Sequence, residues 1–383
     1  MISKGSKYFK GDRVIWMIAV ILAIFSLLAV YSSTGTLAYK LQAGNTEFYL
    51  FRQLAILVFG FVIMFTAHLI PYRYYSRISQ LLLFLVIPLL AITLIAGTSI
   101  NQASRWLTLP GMNITFQTSD FAKLVLVMFV ARKLAKSQDT IQDWKTGFRP
   151  VIIPVFLVTL LILPANFSTA MVVFITALVI MFVGRVNMKY IGIMVASGIV
   201  LLVFVVLIAS VMPRLFPRMD TWVSRIESFS GESEEVYQVE QSKIAVATGG
   251  IIGKRPGHSI QRNYLPHPYS DFIFAIIVEE YGLAGGALLV MLYLMLLYRG
   301  VRLATKAPGT FGALLAVGLS FSLVFQAFIN MAVAVNLMPV TGQPLPMVSM
   351  GGTSIWFSCL AIGILLSVSR VADNQNNEKN SYA

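Results

Sequence analysis

Long apolar runs alternate with short polar stretches along most of this chain. The runs lie near residues 14–34, 48–70, 79–98, 116–134, 150–164, 167–184, 188–212, 271–298, 310–335 and 353–370. Each approaches the ~20 apolar residues that a helix needs to cross the roughly 30 Å hydrocarbon core of a bilayer. The fifth is the shortest and is interrupted by Pro150, Pro154 and Pro164. None shows the in–out alternation that the strands of a membrane barrel require. The pattern predicts an all-α polytopic membrane protein of about ten helices, forming one transmembrane domain over residues 1–372. One large polar insertion, residues 213–270, breaks the rhythm. Within it Trp222, Ile226 and Phe229 recur at helical spacing, and residues 236–245 are amphipathic. Helices of that kind lie along a membrane surface. The polar end, residues 373–383, is expected to be a disordered tail.

Composition supports the same class. Of 383 residues 57% are hydrophobic and 12% charged, against about 25% charged in a soluble domain. The first run follows Lys4, Lys7, Lys10 and Arg13. It lacks a small-residue cleavage site and reads as a retained helix, not a signal peptide. The net charge of +13 would suit a nucleic acid partner, but its placement argues against one. Lys and Arg gather in 1–13, 71–78, 132–149, 185–189, 299–306 and 370–383, whereas the short loops of the other side hold Lys40 and Arg105. This is the positive-inside asymmetry of a membrane protein with ten spans and both termini in the cytoplasm. The long loop 213–270 then faces outward. Cys359 is the single cysteine, so neither an internal disulfide nor a zinc cluster can form.

The polar residues near the membrane borders carry the candidate chemistry. Asp271 stands where the outer loop returns to hydrocarbon, a position from which a carboxylate can act on a lipid-linked substrate as a base. The competing role is simpler: Ser270 and Asp271 as caps of the eighth helix. Glu279 and Glu280 follow within the apolar run, where carboxylates are costly and are usually paired or face a cavity. Asp120 and Lys123, three residues apart, suit a structural ion pair inside the bundle. Arg105 beside Trp106 is either an interface anchor or a phosphate ligand. In the outer loop Lys243, Lys254, Arg255 and Arg262 could hold a diphosphate, and Gly249–Gly257 could form a nest of backbone N–H groups for an anion. Residues 342–354 are rich in Pro and Gly at the entrance to the last run. Broken backbone at that depth requires protein or a cavity around it.

Five of these stretches together resemble the SEDS family, which comprises the FtsW, RodA and SpoVE proteins. They are SRWLTLPG (104–111), QTSDFAK (117–123), QSKIAVATGGIIG (241–253), YSDFIFAIIVEEYGLAGG (269–286) and PLPMVSMGGTS (344–354). They occur in the family's order, and SRWL and SMGGTS are worded more like the FtsW branch. The resemblance implies a glycosyltransferase that polymerises lipid II into peptidoglycan at the outer face of the bacterial inner membrane, releasing undecaprenyl diphosphate. It also implies a class B penicillin-binding transpeptidase and divisome proteins as partners, and a role at the division septum. A RodA-like role in elongation, a flippase for the same lipid and a scaffold are the alternatives. Asp271 matches the family's essential loop aspartate. Arg105, Gln241, Lys243, Arg262 and Glu279 become candidate substrate-binding residues, with Mg²⁺ or Mn²⁺ a conceivable cofactor. The chain departs from the family at Pro268-Tyr269-Ser270, at Thr118-Ser119-Asp120 and at Met350, so auxiliary roles at those positions do not carry over.

Overall fold

The computed structural model describes residues 10–42, 44–100, 103–108, 115–211, 222–225, 229 and 236–381. Among the described residues eight helices are long and apolar enough to cross a membrane. The chain is thus an all-α polytopic membrane protein. Where the hydropathy pattern suggests one domain, its contacts group into two compact units, each assembled from stretches distant in sequence.

The first unit takes in residues 1–69, 223–299 and 323–366. Helix α1 (Arg13–Ser33) is capped by Asp12, whose Oδ1 accepts from the Val14 N–H at 2.9 Å. The same carboxylate receives Arg299 Nε at 2.7 Å and Nη2 at 2.6 Å, so one acid closes a helix start and pairs with a cation. A short α2 (Gly35–Leu41) leads to α3 (Thr46–Leu69). Further on come α9 (Val236–Gly249), the first part of α10 (Ile273–Lys306), the end of α11 (Thr310–Ala334) and the start of α12 (Gly352–Ser381). Helices α3 and α12 touch through small residues. A Cβ at Gly60 would meet the Cys359 sulfur, and one at Gly363 would meet the Met64 carbonyl. This close approach is how helices gain contact in lipid, where no hydrophobic force drives them together.

The second unit takes in residues 70–222, 300–322 and 367–383. It holds α4 (Tyr72–Ala96), α5 (Thr118–Lys136), α6 (Arg149–Ile162), α7 (Phe167–Val183) and α8 (Met188–Val211). A π-helical turn, Trp144–Phe148, precedes α6. Helix α5 packs against α4, α6 and α7 and is buried along most of its length. That position explains its charges: Arg132 donates to the Ser76 carbonyl and hydroxyl and to Gln80 Oε1 on α4. Neither α5, with its charges, nor α7, with 17 residues, meets the length and hydropathy test.

Two features differ from the sequence expectation. A small antiparallel sheet, β1 (Thr98–Ile100), β2 (Ala103–Thr108) and β3 (Thr115–Gln117), interrupts the helices before α5. Its Thr, Trp and Phe residues favour a pleated, half-buried surface. Helix α12 continues to Ser381, through most of the stretch expected to be disordered. Within the polar insertion α9 spans Val236–Gly249, and Trp222 lies in a helical turn at 222–225. Ile226 lies outside the described residues.

Candidate active site

Asp271 sits in the turn that precedes α10 and is half-buried. The first turn of α10 bonds to the Phe272 carbonyl, which accepts from Ala275 N at 3.0 Å and Ile276 N at 3.3 Å. The Asp271 carboxylate is therefore not consumed as a helix cap. Its partner among the described residues is the Ser270 hydroxyl, which donates to Oδ1 at 2.6 Å. Oδ2 is left without one.

The backbone beneath that carboxylate is held by three residues of two other segments. Asn330 Nδ2, on α11, donates to the Asp271 carbonyl at 2.9 Å and to the Gln343 carbonyl at 2.8 Å. Ser349 Oγ donates to the Ser270 carbonyl at 2.6 Å and accepts the Leu345 N–H at 2.8 Å. Met350 N donates to the Tyr269 carbonyl at 2.9 Å. Segment 342–351 is non-helical, as its prolines and glycines require, and buried protein donors satisfy it. Gln326 Nε2 donates to the Pro344 carbonyl at 2.9 Å, Tyr293 to the Pro346 carbonyl, and Ser26 Oγ to the Val348 carbonyl at 2.9 Å. Leu265, Phe272, Ile276 and Val333 pack as an apolar cluster beside the turn. Tyr269 bonds His267 Nδ1 at 3.1 Å. Burial pushes its phenol above the usual value of 10, with Tyr49 and Asp271 adding to the rise.

Glu279 and Glu280 serve a different purpose. Glu279 is 0% exposed. Lys254 Nζ reaches its Oε1 at 2.8 Å, and it accepts from Ser259 Oγ, Ile260 N at 3.1 Å and Gln261 N at 3.2 Å. Glu280 accepts from the Ser32 hydroxyl and from Ser259 N at 3.2 Å. The backbone amides that reach these two carboxylates, Ser259, Ile260 and Gln261, follow the glycine-rich loop, which packs main chain to main chain against the same helix. The loop's Lys254 and Arg255 N–H groups go to the Glu279 and Glu280 carbonyls at 2.9 and 3.1 Å. Glu279 as a substrate ligand is thereby corrected: four partners and full burial leave it no open side. Arg262 is likewise engaged, its Nη1 donating to the Ser32 carbonyl at 2.9 Å and hydroxyl at 3.2 Å.

The remaining candidates fall in several places. Helix α9 is tied to α11 by Ser242 Oγ, which donates to the Ala334 carbonyl at 2.6 Å. Ala334 lies one turn beyond Asn330, so a single helical turn of about 6 Å fixes both the Asp271 backbone and α9. Gln241 and the exposed Lys243 flank that anchor. Arg105 belongs to β2 in the second unit, and its side chain lies outside the described residues. Asp120 and Lys123 form the expected pair at 3.5 Å, with Asp120 buried. Among the described residues no three of His, Cys, Asp and Glu gather as metal ligands, so they offer Mg²⁺ or Mn²⁺ no protein cage.

Sequence reasoning missed Asn330 and Ser349, the two side chains that hold the Asp271 turn. A signal existed: Gln326 and Asn330 stand four residues apart in an apolar run, on one face of a helix.

A family model described as cell cycle protein, FtsW, RodA and SpoVE, matches residues 12–374. The probable peptidoglycan glycosyltransferase FtsW of Geobacter sp. (strain M18) is 34% identical over 367 residues, covering 94% of this chain and 96% of that protein. Stage V sporulation protein E of Bacillus subtilis (strain 168) is 34% identical over 373 residues, covering 95% and 98%. Two solved structures share the fold. A chain of a peptidoglycan synthase complex matches with a TM-score of 0.71 at 24% identity, over 94% of this chain and 98% of that one. The rod shape determining protein RodA of Thermus thermophilus matches with a TM-score of 0.68 at 23% identity, over 95% and 98%.

Proposed function

We infer the function from one premise: the chain belongs to the FtsW, RodA and SpoVE family of cell cycle proteins. It is a peptidoglycan glycosyltransferase of bacterial cell-wall synthesis. The substrate we assign is lipid II, taken at the outer face of the inner membrane, and the site is built around Asp271. The observation that carries this reading is a half-buried carboxylate with one oxygen oriented by Ser270 and the other without a partner among the described residues, on backbone locked by Asn330 and Ser349.

In the reaction we propose, Oδ2 of Asp271 takes the proton from the 4-hydroxyl of a GlcNAc. The hydroxyl oxygen attacks the anomeric carbon of the second lipid-linked sugar and inverts it. The bond to undecaprenyl diphosphate breaks with both electrons leaving on the phosphate oxygen. Cations must meet that charge as it develops. Lys243, exposed on the anchored α9, and Arg105 are the candidates, with Gln241, two residues before Lys243, for the sugar. Two lipid anchors confined to one interface also remove much of the entropic barrier to meeting. The donor is already activated, so no nucleotide is required.

We further propose ten crossings, α5 and α7 included, with both termini in the cytoplasm. The partner we assign is a crosslinking class B transpeptidase, in line with the likeness to a chain of a peptidoglycan synthase complex. Septal synthesis with divisome proteins is the assigned role, following the FtsW relatives.

The test is polymerisation of labelled lipid II by the purified chain with its transpeptidase. Asp271→Asn should abolish glycan strands while expression and partner binding persist. Normal polymer from that variant would refute the base. Transport of lipid analogue in sealed vesicles, indifferent to Asp271, would support the flippase instead.

A further inference from the structure

Helices α6, α7 and α8 of the second unit line a groove, none of whose lining residues enters the proposed glycosyl transfer. Its deep part is a cavity of about 230 Å³ with an almost wholly apolar wall that includes Phe156, Leu163, Phe174, Leu178, Ile199 and Leu202. Gly198 helps to make this space. A Cβ there would come within 2.9 Å of the Phe174 ring. Phe156 also lines a second, wider cavity of about 530 Å³, whose mouth carries Trp144 and Arg149. Phe156 is common to both linings, so the two spaces lie next to each other along α6. At 1.5 Å per residue, Phe156 lies about 10 Å and Leu163 about 20 Å from Arg149. That range is close to the half-thickness of a bilayer core of roughly 30 Å.

We propose that this groove binds one anionic glycerophospholipid, its phosphate on Arg149 and one acyl chain in the Phe156–Leu202 cavity. The mouth supplies what such a headgroup needs. Arg149 and Trp144 are both exposed, and an arginine fork matches phosphate oxygens. Trp is the aromatic suited to the headgroup level. Exposed Lys145, Arg185 and Lys189 share this basic end, with Asp143 the carboxylate among them. The wall supplies the rest: a narrow apolar slot fits an alkyl chain, and α8 leaves it open to the side. Only 11% of the most apolar window of α8 is buried, so a chain can enter from the bilayer without crossing polar surface. The second unit gains packing for α8 that its own side chains do not provide.

The experiment uses the full-length chain, delipidated in detergent and offered equal amounts of phosphatidylglycerol, phosphatidylcholine and undecaprenyl phosphate. Native mass spectrometry counts what stays bound. One phosphatidylglycerol should be retained by the wild type. Arg149→Ala should weaken that retention about fivefold, the worth of one basic side chain toward an anionic lipid, and Arg149→Lys should restore most of it. Ile199→Trp should fill the slot and abolish retention at unchanged helix content. Should that variant misfold, the Arg149 pair decides alone. Equal retention by wild type and Arg149→Ala, parity of phosphatidylcholine with phosphatidylglycerol, or displacement by undecaprenyl phosphate would each overturn the proposal. Asp271→Asn should retain the lipid as the wild type does, which separates this site from the catalytic reading.

Discussion

Asp271 owes its position to groups that never touch its open oxygen. The Ser270 hydroxyl orients Oδ1, while Asn330 and Ser349 hold carbonyls on either side of that peptide. Removing either donor strands a buried carbonyl, which costs about 1–3 kcal/mol. Asn330→Ala and Ser349→Ala should therefore lower the melting temperature in detergent and slow polymerisation, because the base shifts relative to the sugar. Ser270→Ala removes only the orienting bond. It should leave the melting temperature unchanged and reduce kcat by roughly tenfold, as expected when one hydrogen bond to a charged group is lost. A fall in lipid II affinity with kcat intact would contradict an orienting role. Tyr269 is the neighbour whose titration burial displaces upward. An acid with a raised value stays protonated as pH climbs through neutrality, so Tyr269 keeps its proton beside His267 there. The pH–rate profile of Tyr269→Phe should accordingly match the wild type at neutral and mildly alkaline pH.

At the scale of an element, α10 is two helical segments meeting at Gly282, where φ is +69°. Loop 249–254 packs backbone against that break. Leu283 N and Ala284 N donate to the Gly250 and Ile251 carbonyls at 2.9 and 3.2 Å. A Cβ at Gly253 would strike the Glu280 carbonyl, and one at Gly282 the Ile251 carbonyl. Both positions also have positive φ, so Gly253→Ala and Gly282→Ala should destabilise the protein severely, by several kcal/mol once strain and overpacking combine. Lys254→Met leaves the Glu279 charge buried without its cation and should cost a few kcal/mol. The double variant with Glu279→Gln should recover part of that loss. Thermal denaturation of the four forms measures the coupling, and strict additivity would show that the pair does not interact.

This region also marks where sequence stopped being informative. Helix α10, the polar loop and Asp271 at their junction are legible, because hydropathy and charge are local properties. The function of the glycines was legible only in outline. Their composition predicted an anion nest, whereas the loop amides of Lys254 and Arg255 go to the backbone carbonyls of Glu279 and Glu280, a pairing that depends on tertiary contact. Asn330 and Ser349 reach the Asp271 turn across 59 and 79 residues, a relation that no periodicity encodes. The β-sheet was missed because its strands are short and sit between runs whose hydropathy overwhelms them.

For the whole molecule the decisive quantity is orientation across the membrane. The charge distribution alone argues for it: basic segments 132–149, 185–189 and 299–306 on one side, the long loop on the other. The proposed chemistry depends on the same assignment, since glycan strands are extended where the wall is built. The protein carries its own means of checking. Its one cysteine, Cys359, is buried, so the wild type should resist a membrane-impermeant maleimide and serve as a blank. Ile252 is 85% exposed in the loop beside α10, and Lys145 is exposed in the basic segment before α6. Ile252→Cys should label in intact spheroplasts, whereas Lys145→Cys should label only after the membrane is opened. The reverse pattern would put Asp271 on the cytoplasmic side, where a base could not extend a strand outside the membrane, and would remove the proposed reaction together with the orientation.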